Sequence, residues 1–394
     1  MKRNAPYFWK VKVYTNKGES DWSSPAFWSM GLFNEADWQG QWIGLDRAAP
    51  GDSETQWSRL AARYLRKEFA LKKEIKRATV HIAGMGLYEL FINGQRIGDQ
   101  VLAPAPTDYR KTILYNTYDV TSQLQQENAI GVTLGNGRFY TMRQNYKPYK
   151  IPTFGYPKLR LNLIVEYADG SKETIATNTS WKLTTEGPVR SNNEYDGEEY
   201  DARKELGNWT QTDYDDTKWM PAERVSIPSG TLRAQMMPGM KVTETLKPVS
   251  IQKGWVRFRI KGQAGDSIRL HFAERLESDG EIFTKNLRDA HCTDIYVVSG
   301  REPQGATWAP RFVYHGFRYV EISGYPDAKT EDFVVEVVED EMDHTGSFSC
   351  SDKTLNQVVR NAFWGIRSNY KGMPVDCPQR NERQIMSHGL LPCP

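Results

Sequence analysis

The stretch Lys158-Leu159-Arg160-Leu161-Asn162-Leu163-Ile164-Val165-Glu166-Tyr167-Ala168-Asp169-Gly170 decides the fold class. Leu159, Leu161, Leu163, Val165 and Tyr167 recur at every second position. Successive side chains of a strand point to opposite faces, so these five share one face of a half-buried antiparallel strand. Asp169-Gly170 then turns the chain into a hairpin. The same grammar governs residues 78–98, where two alternating runs flank Asn93-Gly94. Both central residues of a type I′ turn need positive φ, which Asn-Gly supplies. Trp38-Gln39-Gly40-Gln41-Trp42-Ile43-Gly44 opens the unit, and residues 207–221, rich in Trp, Asp and Thr, read as its closing loop. Residues 36–225 are therefore expected to form one large β-sandwich.

Outward from that unit, residues 7–32 alternate as well, with Trp9, Val11 and Val13 on one face and a turn at Asn16-Lys17-Gly18. Two strands do not close a sandwich. Residues 1–33 are thus expected to be the remnant of an immunoglobulin or fibronectin III-like domain, truncated at its start. Residues 240–343 read as a second β-sandwich domain. Trp255-Val256-Arg257-Phe258-Arg259-Ile260 alternates, Asp279-Gly280 marks a turn, and Phe317-Arg318-Tyr319-Val320-Glu321-Ile322 follows a Tyr314-His315-Gly316 corner. Then the period changes. Leu355, Val358, Val359, Ala362, Phe363 and Ile366 form one apolar stripe of an amphipathic helix over residues 352–370. Ser351 or Asp352 can cap it. The switch from strands to helix marks a boundary near residue 347, with residues 347–394 as a further unit.

With 394 residues, about two to four domains are expected. Twelve tryptophans and twenty tyrosines supply ample core mass. The net charge of +2 is well mixed and no basic block occurs, so nucleic acid is not an indicated partner. No apolar run approaches the roughly 18 residues of a membrane span. Lys10 and Lys12 interrupt the first strand, so the N-terminal stretch is not a signal peptide, and the compartment stays open. Cys292, Cys350, Cys377 and Cys393 lack the short paired spacing of a zinc site and read as isolated thiols. His81 and His271 fall within strand patterns and read as core or face residues.

Chemistry concentrates in Met373-Pro374-Val375-Asp376-Cys377-Pro378-Gln379-Arg380-Asn381-Glu382-Arg383. Pro374 and Pro378 discourage helix there, so two carboxylates and two guanidiniums sit on a loop behind a helix. Taken alone, such a cluster is ordinarily a solvated, salt-bridged loop. Gly135-Asn136-Gly137 lacks a following Lys-Ser/Thr and reads as a tight turn, not a phosphate loop. The acidic run Asn193-Glu194-Tyr195-Asp196-Gly197-Glu198-Glu199-Tyr200-Asp201 offers oxygen ligands to a hard cation. It lacks EF-hand spacing, and a hydrated loop is its ordinary reading.

The run Asp376-Cys377-Pro378-Gln379-Arg380-Asn381-Glu382-Arg383 resembles the signature of bacterial inverting α-L-rhamnosidases, usually Asp-Cys-Pro-Gln-Arg-Asp-Glu-Arg. Ala362-Phe363-Trp364-Gly365-Ile366-Arg367-Ser368-Asn369 resembles the family's lead-in helix. Leu87-Tyr88-Glu89-Leu90-Phe91-Ile92-Asn93-Gly94, Thr107-Asp108-Tyr109-Arg110 and Asp196-Gly197-Glu198-Glu199-Tyr200-Asp201-Ala202-Arg203 resemble its N-terminal sandwich. Phe272-Ala273-Glu274-Arg275-Leu276 and His315-Gly316-Phe317-Arg318-Tyr319 resemble its next β domain. The resemblance implies a mainly β, multidomain fold: a galactose-binding-like jelly roll, a second β-sandwich, then the first helix of an (α/α)6 barrel.

It also implies hydrolysis of terminal α-L-rhamnose from plant glycans or glycosides, with inversion and no catalytic cofactor. Glu382 would be the general acid, with Asp376 and Arg380 binding the rhamnose. Relatives of the 36–225 sandwich bind rhamnose, sometimes through calcium, which makes Asn136, Asn193, Asp196 and Glu198 candidates for such a site. The family base is a glutamate far downstream. Residues 385–394 depart from the family's Gly-Trp-x-Gly-Asp continuation, and a strand before Gly254-Trp255 is missing. The expectation is a C-terminally truncated, catalytically incomplete chain, with a non-catalytic rhamnose-binding module as the alternative and a periplasmic or secreted parent.

Overall fold

The computed structural model describes residues 3–52, 59–140, 154–247, 255–288 and 290–375. The fold is mainly β, as the alternation requires. One sheet of the first sandwich runs in the order Glu223–Arg224, Ile43–Gly44, Lys158–Tyr167, Ile75–Met85, Thr112–Asp119 and Thr231–Ala234, with Lys172–Ala176 also on Lys158–Tyr167. Facing it lie Met220–Pro221, Lys182–Thr184, Arg63–Ala70, Glu127–Gly135, Leu87–Ile92 and Gln95–Arg96. Val80, Ile82, Leu90, Ile92, Ile130, Val132 and the Leu159–Leu163 series fill the space between the sheets.

The hairpin at Asn93-Gly94 forms as expected, with φ of 50° and 81° at its two central residues. The long run before it divides differently. Ile75–Met85 and Leu87–Ile92 belong to opposite sheets, and the chain crosses between them at Gly86. Gly86 has φ +104°, and a Cβ there would come within 2.3 Å of the Gly135 carbonyl oxygen. Glycine alone tolerates both demands. Alternation reports a strand's faces but not a crossing from one sheet to the other.

Leu159, Leu161, Leu163, Val165 and Tyr167 are all buried, as their spacing predicts. The strand is not half-buried, however. Arg160 and Asn162 on the opposite face are buried too, because residues 32–42 lie across that face, and Lys158 is buried against Asp46 and Ser226. The Arg160 guanidinium donates to Gly40 O (2.6 Å) and lies 5.4 Å from the Trp38 ring. Asn162 accepts from Gly40 N–H (2.8 Å) and donates to Asp37 O (3.2 Å). The polar alternation serves a third layer and not water.

The second β region pairs a five-stranded sheet, Val189–Asn193, Gly197–Asp201, Thr293–Val297, Ser267–Ala273 and Tyr319–Ser323, with a four-stranded one, Met240–Leu246, Phe333–Asp340, Trp255–Arg259 and Thr307–Trp308. Here the expected division of the chain is crossed in both directions. Val189–Asn193 and Gly197–Asp201, read as part of the 36–225 sandwich, join this sheet through a parallel pairing with Thr293–Val297. Thr231–Ala234, beyond residue 225, returns to the first sandwich. One aromatic core, with Phe258, Phe272, Tyr296, Phe312 and Phe317, continues onto Tyr64, Leu87 and Trp219 of the first unit.

At the N-terminal end, Pro6–Trp9 pairs with Ala26–Ser29 and Tyr14–Thr15 with Gly18–Glu19. Phe8, Trp22 and Phe27 of this segment are exposed. The amphipathic helix spans Lys353–Asn369, and Asp352 caps it by accepting from Thr354 N–H (2.8 Å) and Leu355 N–H (3.1 Å). None of its residues is buried, and Leu355, Val358, Phe363 and Ile366 are open. Among the described residues no helix is long and apolar enough to cross a membrane.

Candidate functional site

The acid-and-arginine stretch begins one residue past the described segment, and Asp376, Arg380 and Glu382 lie outside the described residues. What the structure describes is how the chain is delivered to that point. Near the end of the helix, Arg367 makes a two-pronged bond to Glu339, Nε to Oε2 at 2.6 Å and a terminal nitrogen to Oε1 at 2.5 Å. The Glu339 carboxylate raises the Arg367 pKa further. The guanidinium also lies 4.3 Å from the Trp364 ring.

Beyond the helix the chain makes a compact bend. Gly372 N–H donates to Asp340 Oδ2 (2.6 Å) and Val375 N–H to Asn369 O (2.7 Å). Gly372 has φ +65°, and a Cβ would sit 2.5 Å from the Ala105 Cβ, so glycine is required twice over. Lys371 is buried, with Nζ 3.8 Å from the centre of the Tyr314 ring, a cation–π contact. The loop is therefore launched from a junction. The first sandwich supplies Ala105, the second region supplies Tyr314, Glu339 and Asp340, and the helix supplies Arg367. Sequence reading singled out the helix but not Asp340 or Lys371. A lone acid at a strand end carries no local signal.

The second candidate set lies within the described residues. Asn136, Asn193, Asp196 and Glu198 fall in one region, and most of their polar atoms bond within the fold, while Asn136 Oδ1 and Asn193 Nδ2 are buried with no hydrogen-bond partner among the described residues. Asn136 N–H donates to Asn192 Oδ1 (2.6 Å), and its amide donates to Leu60 O (3.3 Å). Asn193 Oδ1 accepts from Tyr195 N–H (2.9 Å), and Asp196 Oδ1 from His291 N–H (3.3 Å). Glu198 is fully enclosed. It accepts from Arg311 N–H (3.1 Å) and Phe312 N–H (2.9 Å). Burial, with the nearby Asp294 carboxylate, pushes the Glu198 carboxyl up to about 8. Nearby, Arg138 pairs with Glu194 (3.0 Å) and the Tyr195 hydroxyl (2.8 Å), deep in the protein. Burial opposes its charge, but the two partners outweigh that and hold it protonated. The acidic run is thus not the hydrated loop expected of it. Its hairpin carries a parallel strand pairing and is enclosed.

Among the described residues, no group of three or more His, Cys, Asp or Glu side chains is arranged to hold a metal ion. Cys292 is buried, its Sγ 3.7 Å from Tyr195 O, and Cys350 is half-buried. His81 is a core residue, bonded to Thr117 Oγ1 (2.9 Å) and Asn4 Oδ1 (3.2 Å), and burial lowers its pKa to about 4.

Two packed β regions, followed by a helix and an acid-and-arginine stretch of sequence, match a known protein class. Residues 73–244 match the α-L-rhamnosidase N-terminal domain, and residues 250–339 match the bacterial α-L-rhamnosidase concanavalin-like domain. Residues 343–386 match the bacterial α-L-rhamnosidase 6 hairpin glycosidase domain, and residues 1–34 a Rha78A-like N-terminal immunoglobulin domain. The chain belongs to the bacterial α-L-rhamnosidase family of glycoside hydrolases. An α-L-rhamnosidase of Formosa agariphila is 34% identical over 421 residues, covering 97% of this chain and 44% of that protein. Another from Streptomyces avermitilis is 38% identical over 352 residues, covering 83% of this chain and 34% of that protein. The solved α-L-rhamnosidase of Dictyoglumus thermophilum superposes with a TM-score of 0.88 at 38% identity, over 97% of this chain and 45% of that one. The Streptomyces avermitilis enzyme solved with L-rhamnose gives 0.87 at 25% identity, over 97% of this chain and 54% of that one. The chain thus spans about 44% of the length of the first of these relatives.

Proposed function

We propose that this chain serves the hydrolysis of terminal α-L-rhamnosyl linkages in rhamnose-bearing glycans or glycosides, with inversion at the anomeric carbon. The observation that carries this is the match of residues 343–386 to the glycosidase domain, a span that includes Asp376, Arg380 and Glu382. Glu382 acts as the general acid and protonates the departing glycosidic oxygen. Asp376 accepts from rhamnose hydroxyls and Arg380 donates to them. Inversion needs a second carboxylate across the ring, roughly 6.5–9.5 Å from the first, with a water between. Asp376 stands only six residues from Glu382 in the sequence and is a poor choice for that role. The base is assigned to no residue of the sequence given. The reaction itself needs no redox group or metal.

The test is hydrolysis of p-nitrophenyl α-L-rhamnoside by the 394-residue chain, beside Glu382→Gln. Loss of one general acid removes about 10²–10⁴-fold in rate. Turnover that survives in Glu382→Gln overturns the assignment. If neither protein turns over, rhamnose binding that depends on Asp376 and Arg380 marks a non-catalytic rhamnose-binding chain, and its absence removes the reading altogether. Proton NMR of the first-formed anomer checks inversion.

A further inference from the structure

Residues 369–375 carry the chain from the helix to Asp376, and their backbone closes on itself. Lys371 N–H donates to Met373 O (3.0 Å), Tyr370 pairs with Pro374, and Val375 N–H returns to Asn369 O (2.7 Å). Val375 is buried. Asp376 is bonded to Val375, and consecutive Cα atoms stand about 3.8 Å apart across a trans peptide. Whatever fixes this bend therefore fixes the point from which Asp376, Arg380 and Glu382 start.

The bend is held from both β regions. The strand Phe333–Asp340 ends in two consecutive acids that hold the helix and the bend separately: Glu339 takes Arg367, and Asp340 Oδ2 takes the Gly372 N–H at 2.6 Å. Asp340 is buried, and a carboxylate that accepts from a backbone N–H makes one of the stronger hydrogen bonds of a protein. The first sandwich supplies the stop. Ala105 lies so close to Gly372 that a Cβ there would come within 2.5 Å of it. Ala105 is itself anchored, its N–H donating to Gln235 Oε1 (3.0 Å), while Tyr88 N–H donates to Ala103 O (2.8 Å) two residues earlier. The bend thus meets a charged grip on one side and a fixed backbone on the other.

We propose that Asp340 is a positioning residue for the hydrolysis: through Gly372 it sets where the stretch from Asp376 to Glu382 begins, and it couples that stretch to the packing of both β regions. The catalytic consequence rests on the function proposed above, while the grip on the bend does not. A misplacement of about 1 Å, caused far from the reacting atoms, costs an enzyme about 10²-fold in rate. Asp340 therefore acts through Gly372 and not by touching substrate.

The test uses two readouts on the 394-residue chain. The first is the rate at which iodoacetamide alkylates Cys377, two residues past Val375, followed by peptide mass spectrometry. Buried Cys292 reports global opening in the same samples. In Asp340→Ala, and independently in Gly372→Ala, the Cys377 rate is expected to rise about tenfold or more, as loss of a hydrogen bond to a charged group implies, with the Cys292 rate unchanged. The second readout is hydrolysis of p-nitrophenyl α-L-rhamnoside or, if the chain does not turn over, binding of rhamnose by calorimetry. Both variants are expected to weaken it by about 10–10²-fold. Asp340→Asn keeps an oxygen that accepts from Gly372 N–H and is expected to fall between the parent and Asp340→Ala in both readouts. The proposal is overturned if Asp340→Ala leaves either readout at the parent value, if Asp340→Asn is as impaired as Asp340→Ala, or if the Cys292 rate rises with that of Cys377 in both variants. A parent chain that neither hydrolyses nor binds a rhamnoside removes the function proposed above, and the Cys377 rate alone then decides whether Asp340 fixes the stretch.

Discussion

The strand Lys158–Tyr167 and the helix Lys353–Asn369 are the two most regularly patterned segments of the chain, yet they are buried in opposite ways. The strand is covered on both faces, by the facing sheet and by residues 32–42. Among the described residues none of the helix is buried; Leu355, Val358, Phe363 and Ile366 of its apolar stripe are exposed, and it is tied to the strand Phe333–Asp340 through Arg367 and Glu339. A period identifies the face that is apolar. It does not report what covers that face, or whether the polar face is covered as well.

The sharpest way to break this contrast is to remove side chains from each stripe. Leu161→Ala is expected to cost about 2–5 kcal/mol by chemical denaturation, as for buried leucines in general. A cost near zero would mean the sandwich core is not packed as described. Gly86→Ala, at the crossing between the two sheets, should lose about 1–3 kcal/mol from its left-handed backbone alone, before the clash with Gly135 is counted. Wild-type stability there would show that the crossing lies elsewhere.

The buried hairpin next to the sandwich makes a pH test. The Glu198 carboxyl is raised from 4.5 to about 8, so the folded state holds a proton that the unfolded state has released. Its contribution is fully present below about 4.5 and is lost as pH rises through about 8. The midpoint of unfolding should therefore fall across that window, and Glu198→Gln should flatten the fall. An unchanged slope in the variant would place the titration on another group.

The helix responds least. Asp352→Ala should cost the helix about 1 kcal/mol, the usual loss of an N-cap, seen in amide exchange of residues 353–357 and hardly in global unfolding. A matching global loss would mean that the helix is integral to the core. Val358→Glu on the open stripe should change stability by less than about 0.5 kcal/mol and reduce self-association in sedimentation. A large destabilisation would show the stripe to be covered after all.

The family was legible for a related reason. The residues from Asp376 to Arg383 are contiguous, so their order survives without a fold, and the domain matches agree with the family resemblance they carry. The bend that launches them was not legible. Asp340 lies 32 residues from Gly372, and nothing in either local sequence announces their bond. The acidic run misled for the complementary reason. Glu194 and Glu198 look solvated in one dimension, but Arg138 and the backbone of Arg311 and Phe312 meet them across 56 to 114 residues of chain.

The sequence by itself determined the strand periods, the Asn93-Gly94 turn, the capped helix and the family signature. Each depends on neighbours a few residues apart, where backbone geometry acts directly. Tertiary structure alone decided that residues 189–201 leave one sandwich for the other and that Arg160 and Asn162 are buried. Those outcomes depend on strand pairing and side-chain contacts between distant segments. A buried carboxylate or guanidinium reads like a solvated one until its partner is brought to it.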